Sequence, residues 1–156
     1  LQFSNMRKFN QKSEFDQKLI DLSRVARVVA GGRRFSFRAA VVLGDKKGRV
    51  GFGLGKGADT ALAIEKATRN AKKNMITVPL NKDNSIPHWV FAKYSSGRVI
   101  IKPAKSGKGL VAGGAARTVL SFAGVENASL KTLSPTKNKV NIAKATIEAL
   151  KNLKSK

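Results

Sequence analysis

The chain of 156 residues carries 31 Lys and Arg against 9 acidic residues, a net charge of +22, with 42% hydrophobic residues and no cysteine. The apolar fraction is enough for folded cores in one domain or two small ones, while the charge exceeds what solubility asks of a domain this size, so the expected partner is a polyanion. Disulfides, thiolate metal sites and a cysteine nucleophile are excluded; no apolar run approaches the roughly 18 residues of a membrane span, and the bases are spread along the chain rather than gathered on one amphipathic helix, so nucleic acid is expected ahead of a membrane surface.

In chain order, residues 1–13 read as a basic N-terminal arm, with Arg7, Lys8 and Lys12 around isolated Phe3 and Phe9. From Glu14 onward the pattern turns to strand over Ile20 to Val29, where Val25, Val28 and Val29 interleave with Arg24 and Arg27. Gly31-Gly32-Arg33-Arg34 is a sharp turn from which two guanidiniums project, a loop suited to phosphate. Phe35, Phe37, Ala39, Val41 and Leu43 then share one parity, predicting a strand with one buried face. Gly44-Asp45-Lys46-Lys47-Gly48 is a hairpin loop, and Val50, Phe52 and Leu54 alternate with Arg49, Gly51 and Gly53 in the return strand, which closes on Gly55-Lys56-Gly57. Asp59 to Met75 follows helical spacing through Ala61, Ile64, Thr68 and Ala71, with Asp59 as its cap and Lys66, Arg69, Lys72 and Lys73 crowding its second half. Residues 14–75 are thus expected to form a first unit of three antiparallel strands and one helix.

Residues 76–156 are expected to form a second unit. Ile76 to Leu80 reads as its first strand; Trp89 to Tyr94 and Arg98 to Lys102 form a hairpin around Ser95-Ser96-Gly97, ended by Pro103. A basic glycine loop with Lys105 and Lys108 leads into a helix over Leu110 to Ala123, with Gly124 as its C-terminal cap. Leu130 to Leu133 is a short strand and Val140 to Leu153 a last helix. Strand, hairpin, helix, strand and helix in that order describe an α+β sandwich.

None of the motifs carries catalysis. Gly51-x-Gly53-x-Gly55-Lys56-Gly57 lacks both the P-loop spacing with its following Ser or Thr and the dinucleotide fingerprint, and no parallel βαβ unit surrounds it; its glycines more simply keep a strand face bare so that the helix or an RNA backbone can approach closely. Gly107-Lys108-Gly109-Leu110, read as opening a helix, is a better anion site in principle, and faintly resembles the phosphate loop of small-metabolite kinases, but Val111-Ala112-Gly113-Gly114 continues without the serine-rich start those enzymes use. His88 stands alone, and the nine acids are scattered over turns, caps and helix faces without a paired acid and base. No catalytic residue, metal ligand, cofactor or small-molecule substrate is therefore assigned. Trp89, Phe91 and Tyr94 can stack on unpaired bases, although residues of this kind on a short hairpin more commonly serve a core or an interface.

Taken together, Arg24-Val25, Gly31-Gly32-Arg33-Arg34-Phe35-Ser36-Phe37, Val42-Leu43-Gly44-Asp45, Gly48-Arg49-Val50-Gly51-Phe52-Gly53-Leu54-Gly55-Lys56, Lys72-Lys73-Asn74-Met75-Ile76, Val111-Ala112-Gly113-Gly114-Ala115 and Ala145-Thr146-Ile147-Glu148-Ala149-Leu150 resemble, in order, the bacterial-type family of small-subunit ribosomal protein five. The resemblance covers nearly everything from Asp21 onward. It implies an N-terminal domain like a double-stranded-RNA-binding domain and a C-terminal α/β sandwich with a left-handed βαβ unit, shared with those kinases as fold rather than function. It further implies binding to small-subunit rRNA near the body and head junction, contacts with ribosomal proteins four and eight, a place along the mRNA entry channel with an influence on accuracy, and a cytoplasmic ribosomal location in a bacterium or bacterial-type organelle. Ala30 to Arg34 correspond to the family's loop near the spectinomycin site, and Gly109 and Arg117 to its contact with protein four. Two loops depart from the family pattern. Lys105-Ser106-Gly107-Lys108-Gly109 replaces an acidic-glycine loop, inverting its charge, and Ser134 to Asn141 departs from the usual Ser-x-Asn-Pro-x-Asn.

The resulting expectation is phosphate contact by Arg24, Arg27, Arg33, Arg34, Arg38, Lys46, Lys47, Arg49 and Lys56 from one sheet and its loops, around the Gly31 and Gly32 turn. Lys66, Arg69, Lys72 and Lys73 add contacts from the helix. A free regulator of duplex RNA and, more distantly, a small-metabolite kinase are the alternatives. A general duplex binder grips phosphates from the start of its helix, where this chain has Asp59, so generic duplex binding is expected to be weak.

Overall fold

The computed structural model describes residues 14–155; the expected arm at 1–13 lies outside them. Two four-stranded sheets and three helices stack in alternating layers. The first sheet has the order β1-β2-β3-β4, formed by Asp16–Val29, Gly32–Gly44, Arg49–Gly57 and Ile76–Thr77. Helix α1, Thr60–Lys73, covers one of its faces. Against the other face lie α2, Gly114–Ala123, and α3, Lys139–Lys151. These in turn line the inner face of a second sheet of order β5-β6-β8-β7, formed by Val90–Tyr94, Gly97–Pro103, Ala128–Thr132 and Leu110–Val111.

This arrangement explains why β2 departs from a one-faced strand. Ala39 and Val41 pack with Ala63 and Ala67 of α1, whereas Ala40 and Val42 join Val50 and Phe52 in the larger core with Leu120, Leu150 and the second sheet. Alternation in sequence marks which residues share a face, but here both faces are dry over Ala39 to Leu43.

The glycine ladder of β3 turns out to be the seat of α1. A Cβ added at Gly53 would collide with the Ala67 carbonyl oxygen and the Ala71 amide, and one at Gly55 with the Ala63 carbonyl and the Ala67 amide. Bare strand backbone opposite Ala63, Ala67 and Ala71 lets helix and sheet approach without intervening side chains. Of the two candidates for the close neighbour, the helix and an RNA backbone, it is the helix.

Asp59 caps α1 by accepting the Leu62 amide at 2.8 Å, and Gly124 ends α2 in the left-handed region at φ 91°. Other boundaries shift. The first strand begins earlier, at Asp16, with a register shift between Leu19 and Asp21. Ile76–Thr77, expected to begin the second unit, instead pairs with Arg49 and Val50 as the fourth strand of the first sheet. Helix α2 starts at Gly114 rather than Leu110, because Leu110 and Val111 pair in parallel with Ala128 and Ser129. The glycine loop at 107–109 therefore opens a strand, and the helix-start anion site imagined there does not exist.

The backbone of the Asp45 to Gly48 loop is bonded to the end of α2. The Lys46 amide donates to the Phe122 carbonyl at 3.0 Å and the Gly48 amide to the Ala123 carbonyl at 2.9 Å, satisfying carbonyls that a helix end leaves unpaired. Lys46 adopts φ 61°, and its ammonium lies 5.6 Å from the Phe122 ring centroid.

Candidate nucleic-acid interface

Beyond Phe37, which pairs with Gly57, β2 loses its third strand and continues with β1 alone. Five residue pairs, from Val25 with Ser36 to Val29 with Gly32, form a two-stranded ribbon that extends about 17 Å past the sheet. Its turn is Ala30 and Gly31. Gly32 takes φ 139°, which favours glycine, and space is open around both Gly31 and Gly32. Val28 is 78% exposed and Phe35 48%, so packing does not account for this ribbon.

Residues directly opposite in an antiparallel pair share a face, and the register sorts the basic residues accordingly. Arg27 lies opposite Arg34, and Arg38 lies opposite both Ser23 and Lys56. These four cations occupy the face that, nearer the base, carries Ala40, Val42 and Phe52. Arg24 and Arg33 occupy the other face, where Arg24 opposes Phe37 and its guanidinium lies 3.7 Å from the Phe35 ring centroid. Such stacking holds a flexible guanidinium flat while leaving its donors free. The six cations thus lie on both faces of the ribbon and its base rather than on one, with Arg27, Arg33 and Arg34 on the ribbon itself and Arg24, Arg38 and Lys56 where it leaves the sheet.

The remaining predicted contacts are dispersed. Arg49 donates through Nη2 to Glu14 and, at 2.9 Å, through Nε to Asp45, and its guanidinium lies 4.9 Å from the Phe15 ring centroid. Its charge is met internally, and Glu14 first and then Asp45 raise its pKa further. Burial raises the Asp45 carboxyl. The Lys47 amide, the Arg49 guanidinium and the Arg49 amide together outweigh that burial and leave it below the ordinary aspartate value. Lys46 pairs with Asp16 at 3.7 Å, and Lys47 is exposed on the same loop. On α1, Lys66, Arg69, Lys72 and Lys73 are all exposed, with Arg69 held by Glu65 at 3.0 Å and Lys72 and Lys73 in the last turn.

Gly109 sits in the loop before β7, where its amide donates to Asn127 Oδ1 at 3.2 Å, and Arg117 is exposed on α2. The hairpin aromatics separate. Tyr94 turns toward α3, where its hydroxyl accepts from Lys144 Nζ at 3.2 Å, while Trp89 and Phe91 are exposed. Phe91 lies beside Ile100, and Ile100 beside Lys131, on the outer face of the second sheet, which no other described element covers. Sequence reading did not find this face. Its only signal was alternation in β5 and β6 that leaves Phe91, Ile100 and Lys102 on the parity opposite Val90, Val99 and Ile101. His88 shows no catalytic geometry either: Nδ1 lies 2.8 Å from the Trp89 carbonyl and Nε2 accepts the Lys154 amide at 3.0 Å, which pins the end of the chain. Among the described residues, no three His, Asp or Glu cluster as a metal would need, and no helix is long and apolar enough to cross a membrane.

The chain is similar to known proteins along nearly its whole length. The chain is 44% identical over 151 residues to small ribosomal subunit protein uS5 of Thermosynechococcus vestitus, covering 97% of this chain and 86% of that protein. It is 40% identical to small ribosomal subunit protein uS5c of Emiliania huxleyi, covering 97% and 94% of the two chains. To the uS5 of Mycoplasmopsis agalactiae it is 46% identical over 143 residues, 92% of this chain and 62% of that longer relative. Residues 15–79 match the family described as ribosomal protein S5, N-terminal domain, and residues 92–156 match ribosomal protein S5, C-terminal domain. With both halves matched in order, and with the glycine ladder, the basic ribbon and the parallel β7 and β8 pair lying within those matches, the chain belongs to the ribosomal protein S5 family.

Proposed function

We propose that this chain is a structural, non-catalytic component of the small ribosomal subunit whose β1–β2 ribbon enters folded rRNA. The observation that carries this reading is the ribbon together with the sheet at its base: Arg27 and Arg34 on one face of the two-stranded ribbon continue to Arg38 and Lys56 at its base, and Arg33 on the other face continues to Arg24. A finger basic on both faces suits a cleft between RNA segments, where phosphates stand on two sides. A free duplex binder would instead present one basic surface to one helix. Lys66, Arg69, Lys72 and Lys73 on α1 form a second bank, while the internally paired Arg49 serves the loop that holds sheet to α2.

Family membership supports the finer assignments of this reading. The chain lies near the junction of body and head and along the mRNA entry channel, where it influences accuracy, and ribosomal proteins four and eight are its neighbours. Gly109 and Arg117 contribute on the protein four side. The exposed Phe91 with the half-buried Ile100 beside it, and the exposed Trp89 before β5, support a protein neighbour as well, since apolar area of this kind marks interaction surfaces. The location is ribosomal, in a bacterium or bacterial-type organelle, as the named relatives suggest.

The test is reconstitution of small subunits with the wild-type chain and with Arg33→Glu plus Arg34→Glu, followed by sedimentation at about 0.5 M salt, which strips purely electrostatic binders. Stoichiometric retention of wild type and loss of the double variant is the expected result. Equal retention of both would overturn the role given to the ribbon tip, and release of wild type to the top of the gradient would overturn the structural role.

A further inference from the structure

A groove of about 410 Å³ opens where the end of α1, the middle of β3 and the outer side of α3 meet. Its floor is apolar, built from Phe52, Met75, Ile76 and Ile147, and its rim carries Asn74, Tyr94 and Glu148. Two ammonium groups stand over it: Lys144, bonded to the Tyr94 hydroxyl at 3.2 Å, and Lys151, 3.2 Å from Glu148. A shallower hollow of about 220 Å³ over Phe52, Gly53 and Leu54 shares Asn74 and Lys144 and extends the groove along β3.

Position in the sheet says what the groove meets. Leu54 is followed on the same face of β3 by Lys56, which lies opposite Arg38, and that face runs on to the Arg34 and Arg27 pair of the ribbon. The apolar hollow is therefore the inner end of the same cationic track assigned to RNA. An RNA strand following the track brings phosphates past Lys56 and toward Lys144 and places its bases over Leu54 and Phe52.

We propose that this groove receives one unpaired nucleobase of the RNA that binds the ribbon, a site that deepens the RNA-binding reading and rests on it. The flat apolar face of a base suits the Phe52 and Ile147 floor. The Asn74 amide and the Glu148 carboxylate offer a donor and acceptors to the base edge, and Lys144 and Lys151 meet the flanking phosphates. An aliphatic side chain from a protein neighbour would fill the floor but bring no negative charge to Lys144, whose ammonium bonds the neutral Tyr94 hydroxyl rather than a carboxylate, which favours the base with its flanking phosphate.

The experiment places a benzophenone amino acid at Tyr94, exposed on the rim, in chain incorporated into small subunits, and maps RNA crosslinks by primer extension. One dominant stop at an unpaired nucleotide is expected. Asn74→Trp, which blocks the mouth from an exposed position, should lower that crosslink about tenfold, the scale of losing one stacked base, while the chain stays in the subunit. Crosslinking to a protein, stops scattered over many nucleotides, or no crosslink in subunits that retain the chain would each overturn the groove assignment and leave the ribbon reading standing. Absence of the wild-type chain from the subunit, read on the gradient, would overturn both.

Discussion

Strand β2 is two different objects along one uninterrupted run. From Ala39 to Leu43 it is enclosed on both faces, by α1 on one side and by the core of α2 and α3 on the other. From Gly32 to Ser36 it has a single neighbour and no cover. The first half tolerates no change of shape and holds the molecule together. The second has little to hold and is free to be basic. A strand that leaves its sheet while keeping its hydrogen-bonded partner delivers charge far from the core without exposing core residues, because the ladder alone maintains its direction.

The comparison breaks most visibly at the buried end. Gly53→Ala forces its new methyl into the Ala67 carbonyl and the Ala71 amide, and should cost about 3 kcal/mol by separating α1 from the sheet. Chemical denaturation would show it as a lower midpoint with an unchanged slope. Gly31→Ala, at the open tip, should leave that midpoint in place.

Asp45→Ala comes next, since it removes the acceptor for the Lys47 and Arg49 amides at 2.8 and 3.1 Å together with the Arg49 partner. A loss of about 2 kcal/mol is expected. Because the folded carboxyl titrates below its ordinary 3.8, its contribution is complete above that value and disappears as pH falls through the folded pKa. Unfolding curves of wild type and variant from pH 6 down to pH 2 should therefore run apart by a constant amount at first and converge below about pH 4.

At the exposed end the effects on stability shrink and those on binding remain. Phe35→Leu keeps bulk but removes the ring under Arg24, and should cost about 0.5 to 1 kcal/mol. Smaller still for stability is Arg27→Ala, within about 0.5 kcal/mol, yet it should reduce the slope of log affinity against log salt by about 1 for the RNA target. If Arg27→Ala instead lowered the thermal midpoint as much as Gly53→Ala, the division of β2 into a structural half and a binding half would be wrong.

Elements whose signals are local were legible in advance. The Asp59 cap, the existence of α1, the Gly124 stop and the pairing of β1, β2 and β3 rest on propensities within a few residues, and the structure follows them. The buried face of α1 differs from the one its spacing suggests: instead of Ala61, Ile64 and Thr68 with Ala71, it is Ala63, Ala67 and Ala71 that are buried, because the bare glycine ladder of β3 seats the smallest side chains. Leu110 and Val111 read as helix in the sequence because Val111 continues the spacing of Ala115, Val119 and Phe122, and only the parallel pairing with Ala128 and Ser129 makes them strand. Ile76 and Thr77 were assigned to the wrong sheet because a two-residue strand belongs wherever an edge is free. For the candidate interface, sequence supplied the bases but could not sort them. Arg49 resembles Arg38 in composition and spacing, and only folding brings Glu14, 35 residues away, against its guanidinium.

By itself, then, the sequence determined the charge, the lack of thiol chemistry, the motif set that resembles the ribosomal family, and the alternation that pairs the first three strands, because each of these is a property of residue identity or of near neighbours. Only the tertiary structure decided which cations remain free, that β2 is covered twice at its base and not at all at its tip, and that Phe52, Ile147 and Lys144 share one groove. Those outcomes depend on contacts between segments far apart in the chain, where burial and charge are set by what packs against a residue and not by its own chemistry.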